Sequence, residues 1–277
     1  MKIHLIAFTG GVVCLAMAAF GTASAVTAAA QSTAVTFSAR EFGFDGPDQL
    51  PAGQTTVRLR NRGKEPHQLQ LLKLDEGKSP ADLVAALKSN HTVPSWAKHM
   101  GGPNGVTAGQ VSEATLYLEP GSYVILCNIP GKNHQSHAML GMHKALRVMD
   151  TGAPPADFAG NFHMAMFDYE FVVVQPLRKG RHSFYVINRG SQIHQASVVR
   201  LKRGASTEDV LTALNHDTPS RLPGTLIGGM SGLEPGRDGT FTAELTPGRY
   251  AIMCLFSTTH PSESHAAKGM VMSFTIQ

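Results

Sequence analysis

Leu118–Cys127 reads LEPGSYVILC, and Leu245–Cys254 reads LTPGRYAIMC. Each has a Pro-Gly turn, then an apolar run with β-branched and aromatic residues, then a cysteine. Proline presets the backbone for a turn and glycine completes the reversal. Each segment therefore reads as a strand entered through a tight turn and ended by a thiol. The two lie 127 residues apart. The same offset carries Val57–Leu74, VRLRNRGKEPHQLQLLKL, onto Phe184–Leu201, FYVINRGSQIHQASVVRL. For His137–Met142, HAMLGM, and His265–Met270, HAAKGM, it becomes 128, which places one extra residue in the loop after the second cysteine. Solenoid arrays have shorter periods and more copies, so this is a duplication. One copy spans residues 34–149 and the other 163–277. The stretch between them, Asp150–Phe162, DTGAPPADFAGNF, has the proline, glycine and alanine content of a linker.

Each copy reads as strand for most of its length. TVRLRN, HQLQLLKL and KALRVM alternate or run apolar with β-branched content. One helix interrupts each copy. SPADLVAALKS places Ser79 at the N-cap, Pro80 at the first helical position and Asp82 two residues on; STEDVLTALNH repeats this with Ser206 and Asp209. Leu83, Ala86 and Leu87, with Val210, Ala213 and Leu214 in the second copy, form a stripe that would pack the helix on a sheet. Seven or so short strands per copy predict an all-β chain of two tandem Greek-key β-sandwich domains, each with one short helical insertion.

The first residues, MKIHLIAFTGGVVCLAMAAFGTASA, have a basic start, an apolar run and a small-residue ending. They read as a signal peptide over residues 1–25, cleaved after Ala25, with Ala30 as an alternative. The remaining chain is expected to be exported, most simply to a bacterial periplasm, with no integral membrane segment. Without Lys2 its formal charge is near +3. That small excess does not point to nucleic acid, and the expected location argues against it. Cys14 would leave with the leader, so Cys127 and Cys254 remain. Two cysteines in an oxidising compartment suggest a disulfide. These two, however, end equivalent strands of different copies.

A different partnership repeats. The first copy holds His67, Cys127, His137 and Met142; the second holds His194, Cys254, His265 and Met270, in the same order. Two imidazoles, a thiolate and a thioether are the donors of a trigonal copper site with a weak axial methionine. Zinc accepts such donors but usually takes other sets. In the first copy His134 and Met139 share the spacing of His137 and Met142. In the second copy His260 has no methionine five residues on, so the repeat selects His137/Met142 and His265/Met270.

With Asn-x-Gly-x-x-x-His (Asn61 to His67, Asn188 to His194), Tyr-x-x-x-Cys and His-x-x-x-x-Met in both copies, the chain resembles the cupredoxins, the blue or type 1 copper proteins. The resemblance implies one type 1 copper per copy. The two histidines and the cysteine would be equatorial, the methionine axial, and a redox protein would be the partner. It also implies that the electron leaves through His137 or His265 near the surface. Two departures stand out. The cysteine-to-histidine loops are long, nearer those of nitrite-reductase domains. Gln68 and Gln195 occupy a place usually held by asparagine. The catalytic centres of two-domain copper enzymes need a histidine beside the cysteine or His-x-His pairs. Here the neighbours are Leu126, Asn128, Met253 and Leu255, and His-x-His does not occur. The expectation is therefore electron transfer without catalysis. A copper carrier, buffer or resistance protein is the alternative, supported by the surplus histidine and methionine around the first loop, and a metal-free interaction module is a third. His134, His143 and His260 read as loop surface and Met164 and Met166 as strand or linker packing, with a softer second copper site helped by the HMAM of His163–Met166 as the lesser reading. His91, His99, His182 and His216 read as surface or turn histidines, and Gly101-Gly102 and Gly228-Gly229 as turns or kinks.

Overall fold

A computed structural model describes residues 33–90, 92–131, 135–155, 157–215, 222–257 and 264–277. The expected signal peptide, Cys14, His91, His134, His216 and His260 lie outside these residues. The first copy comprises β1 (Thr33–Arg40), β2 (Gly43–Asp45), β3 (Gln49–Pro51), β4 (Gly53–Asn61), β5 (Gln70–Leu74), α1 (Pro80–Asn90), β6 (Ala97–His99), β7 (Val111–Leu118), β8 (Gly121–Leu126) and β9 (His143–Met149). The second comprises β10 (Phe162–Phe167), β11 (Glu170–Val173), β12 (Gly180–Asn188), β13 (His194–Leu201), α2 (Thr207–Asn215), β14 (Gly224–Leu233), β15 (Asp238–Leu245), β16 (Gly248–Met253) and β17 (Val271–Ile276). Both copies are β-sandwiches, and among the described residues each carries one helix.

The strands obey the two-residue period. In β4, Thr55, Val57, Leu59 and Asn61 point inward while the residues between them are less buried. β5 and β8 are apolar on both faces for a reason. Leu71 and Ile125 face the main core, whereas Leu72 and Val124 face the other way. That second face is covered by α1 through Leu83 and Leu87, and Val210 of α2 sits in the equivalent cluster with Val199, Ala251 and Met253. The caps form as the sequence predicts. Ser79 Oγ accepts from Asp82 N–H at 3.2 Å while the Asp82 carboxylate accepts from Ser79 N–H at 2.8 Å. Ser206 and Asp209 repeat both bonds at 3.1 and 2.8 Å.

The sequence reading holds no hint of how the copies join. β7 pairs antiparallel with β15, fusing half of each copy into one eight-stranded sheet of order β11-β10-β12-β15-β7-β4-β1-β2. The other layers are a five-stranded sheet, β3-β9-β8-β5-β6, and a four-stranded one, β14-β13-β16-β17.

A second seam runs between Met100–Val106 and Ile227–Leu233. Its bonds come in mated pairs. Asn104 N–H donates to Gly229 O at 3.1 Å, and Ser231 N–H to Gly102 O at 2.8 Å. Gly101 N–H donates to Gly232 O, and Gly228 N–H to Gly105 O. Adding 127 to the first-copy partner of one bond gives the second-copy partner of its mate. Pro103 bridges its own equivalent, Met230, and Ala114 pairs with its own equivalent, Phe241. A twofold pseudo-axis therefore passes through both contacts.

Gly101 and Gly228 make room for this approach, since a Cβ on Gly101 would lie 2.9 Å from Leu233 Cδ2 and one on Gly228 2.6 Å from Ser112 Oγ. Gly102 and Gly229 have φ of +134° and +124°. A Cβ on Gly229 would lie 1.9 Å from Ala196 O, and one on Gly102 would lie 2.3 Å from Leu69 O. They are kinks, as expected, each pressed against a strand of its own copy. His99 departs from the surface reading. It is buried in the seam, with its backbone N–H on the Glu234 carboxylate at 2.9 Å and its ring against Phe256.

Candidate metal centres

His67, Cys127 and His137 converge, as do His194, Cys254 and His265. Within each trio the nearest ligand atoms all lie within 4.8 Å of one another. The folding logic is the same twice. Cys127 directly follows β8 and Cys254 directly follows β16. The loop back from each cysteine is pinned at both ends. Cys127 N–H donates to Met142 O at 3.2 Å, Ala138 N–H to Cys127 O at 2.8 Å, and Met142 N–H to His137 O at 2.8 Å. Cys254, Met270, Ala266 and His265 repeat these bonds at 3.1, 2.8 and 2.8 Å, so the extra residue is absorbed between the pinned ends. Met142 and Met270 are fully buried beside their trios.

The Asn-x-Gly motif explains how the first histidine is held. Asn61 Nδ2 donates to Glu65 O and Val106 O, at 2.8 and 2.9 Å, while its Oδ1 accepts from Gly63 N–H. Asn188 does the same with Gln192, Leu233 and Gly190. Gly63 is needed because a Cβ there would come within 2.7 Å of His67 Nε2, and Gly190 stands equally close to His194.

The donor atoms have the spacing of ligands to one small ion. His67 Nδ1 and His137 Nδ1 are 3.1 Å apart, and Cys127 Sγ is 3.5 Å from His137 Nδ1. The second trio gives 3.0 Å between ring nitrogens and 3.5 and 3.8 Å from sulfur to each. With metal–nitrogen and metal–sulfur bonds of about 2.0 and 2.3 Å, adjacent ligands in an open three- or four-coordinate site stand roughly 3–4 Å apart. Two soft donors and two imidazoles in a closed apolar setting suit copper better than the oxygen-seeking cations. Both cysteines are buried free thiols, so the disulfide reading falls.

Burial prepares these groups for a metal. It lowers the pKa of His67, His137 and His194, and holds His265 down to about 4, helped by the neighbouring His194 and Lys268. All four rings are thus neutral at pH 7, with Nδ1 free to bind. Burial pushes both thiols up to about 12. A thiol in that state becomes a thiolate only when a cation takes the proton's place. The N–H groups of Gln68 and Gln195 point at the two sulfurs, each at 3.4 Å, ready to stabilise that charge. This support comes from the backbone and does not depend on the glutamine side chains.

The outer partners were not read from the sequence. Glu41 accepts from His67 Nε2 at 3.3 Å, and Asp168 from His194 Nε2 at 2.8 Å. Burial works against Glu41, yet the backbone N–H groups of Glu65 and Lys64 outweigh it and pull its pKa to about 2. Ser191 and then His194 bring Asp168 to about 2. Phe42 stands edge-on to His137, and Tyr169 to His265. The signal was present: Glu41-Phe42 and Asp168-Tyr169 are the same acid–aromatic pair at the 127-residue offset. One partner is not duplicated. Glu65 accepts from His137 Nε2 at 3.0 Å, while its equivalent, Gln192, donates to the Tyr169 hydroxyl. The loop histidines are also less open than the resemblance implies. His137 is 0% exposed and His265 4%, so the aromatic rings, not the imidazoles, meet solvent. Met164 and Met166 are core residues, not a second soft site.

No protein-family model and no curated protein matches the chain. Among solved structures it is similar to reduced auracyanin from Roseiflexus castenholzii, at 22% identity over 43% of this chain and 98% of that one, with a TM-score of 0.32. It is also similar to the copper-containing nitrite reductase of Thermus scotoductus, at 12% identity over 89% and 62% of the two chains, with a TM-score of 0.26. Blue copper oxidase from Nitrosomonas europaea gives 14% over 89% and 86%, with a TM-score of 0.28. The fold and the sites stand on the chain's own strands and side chains.

Proposed function

We propose that this chain is a two-centre copper protein that carries single electrons. His67, Cys127, His137 and Met142 would hold the first copper; His194, Cys254, His265 and Met270 the second. The observation that carries this reading is the double convergence of buried Nδ1, Nδ1 and Sγ atoms on strand ends tied by repeated backbone bonds. Bound copper would supply a one-electron Cu(II)/Cu(I) couple. The chain's part is to keep the donors rigid and dry, so that little moves when the charge changes. The residues flanking the cysteines favour a carrier over a catalyst, because none is a histidine that could lead to a second kind of copper. A redox protein is the fitting partner, meeting the sites at Phe42 or Tyr169. No helix among the described residues is long and apolar enough to cross a membrane.

Titration of the copper-free protein with Cu(II) tests the reading. Two equivalents should bind, with an intense thiolate-to-copper absorption that bleaches on reduction. Each copper should release about one proton at pH 7, since the thiol is protonated and the rings are neutral beforehand. Uptake therefore tightens as pH rises. Tight Cu(I) binding without the band would favour the handling role, and no uptake a metal-free module.

The unshared Glu65 gives a second expectation. A carboxylate on a ligand ring's N–H makes that ring a stronger donor and favours the more charged metal state. The first centre should have the lower reduction potential. Glu65→Gln should raise it by about 60 mV, a tenfold change in relative affinity for a one-electron couple. Spectroelectrochemical titration would show the first wave moving toward the second. An unmoved wave would mean that Glu65 does not tune the site.

A further inference from the structure

The two sulfurs are joined through the seam. Gln68 N–H points at Cys127 Sγ at 3.4 Å, and the next amide, Leu69 N–H, donates to Pro103 O at 3.0 Å. Pro103 is bonded to Asn104, a buried residue that reaches across to the other copy. Its Nδ2 donates to Met230 O at 2.9 Å and to Ser197 Oγ at 3.0 Å, and its backbone N–H donates to Gly229 O. Met230 is paired with Ala196 in the β13–β14 ladder. Ser197 Oγ also accepts from Gln195 Nε2 at 3.4 Å. Gln195 N–H then points at Cys254 Sγ at 3.4 Å. The route runs from one thiol to the other through peptide bonds and hydrogen bonds, with no gap wider than a hydrogen bond. At position 104 the crossing is doubled by a side chain that its mate, Ser231, matches only with a hydroxyl on Pro103 O.

We propose that the seam is an internal electron conduit, and that Asn104 is the residue through which charge crosses from one copy to the other. This rests on the reading of both trios as copper centres. With copper bound, one electron would move, the Cys127 centre losing it as the Cys254 centre gains it. No proton or covalent bond changes. The two centres then act as one relay, able to accept an electron at Phe42's end and deliver it at Tyr169's.

The test uses the copper-loaded full chain, oxidised and then partly reduced by a radiolytic pulse delivering less than one electron per molecule. After the fast reduction, the native protein should show a second, first-order phase whose rate is independent of protein concentration. Asn104→Leu, which keeps the branched shape but removes the side-chain amide, should slow that phase by about fivefold, with copper content and thiolate bands unchanged. If N104L does not fold, Ser197→Ala combined with Ser231→Ala should slow it by about threefold. Amide exchange on the copper-free variant supplies an independent readout. Leu69 N–H should stay as protected as in the native protein; lost protection would mean an opened seam and overturn the assignment to Asn104. A thiolate band without the first-order phase, or a phase that the variants leave unchanged, overturns the conduit alone. Absence of the band in the native protein overturns the copper reading and the conduit with it.

Discussion

Serine in place of Cys127 should leave the chain folded but holding one copper where the native protein holds two, with about half of the thiolate absorption lost. Cys254→Ser should do the same at the other centre, and the double variant should lose the band entirely. The oxygen of serine is a poor substitute because the soft Cu(I) state needs a polarisable donor, and the serine hydroxyl keeps its proton at neutral pH. The stability cost should be small, on the order of 1–2 kcal/mol, since the hydroxyl takes over the N–H contact from Gln68 or Gln195 in a slightly smaller volume. Metal analysis and absorption of the three variants settle the count. If either single variant kept two coppers and a full band, the cysteine assignment at that centre would be wrong.

Alanine at Gly229 should be far more damaging to the fold, by about 4 kcal/mol or more. Its Cβ would lie 1.9 Å from Ala196 O and 3.0 Å from Ala196 C. Neither atom can yield freely, because Ala196 is held in the β13–β14 ladder just after Gln195, whose N–H points at the Cys254 sulfur. Gly236→Ala gives the comparison. It too has positive φ, at +78°, but nothing stands within 4 Å of its Cβ, so it should cost only about 1–2 kcal/mol for the left-handed backbone. Urea unfolding of both variants separates collision from conformation. Equal losses would show that the close approach at Gly229 is relieved at no cost.

Much of the molecule was legible because duplication supplied its own control. Cys127, His137 and Met142 could be chosen over His134 and Met139 only by the match to Cys254, His265 and Met270. Ser79 and Ser206 marked the helices, since a cap acts within one turn and leaves a local trace. The joining of the copies left none. β7 and β15 look like any half-buried strands, and an edge that pairs with a partner has the same alternation as one that faces water. Gly101-Gly102 and Gly228-Gly229 read as punctuation because sequence shows where a backbone bends, not what it bends around. His99 was misjudged for the same reason: its burial comes from Glu234 and Phe256, more than a hundred residues away. Glu41 and Asp168 repeat at the same offset, but they act one step beyond the metal donors, on each first histidine's second ring nitrogen.

The mated bonds across the seam have the form of an isologous interface, the kind by which two identical subunits form a symmetric dimer. Here both halves belong to one polypeptide, so their meeting is an intramolecular event at fixed effective concentration and does not depend on how dilute the protein is. A dimer of identical subunits can change its interface only on both sides at once. A joined pair is free to differ, and this one does at Glu65 against Gln192, Asn104 against Ser231, and His99 against Leu226. Each difference falls in or beside the seam or a ring-nitrogen partner, while the metal donors stay matched. Covalent joining has thus given the two halves separate identities around an unchanged pair of ligand sets, and a symmetric assembly has become one with a direction.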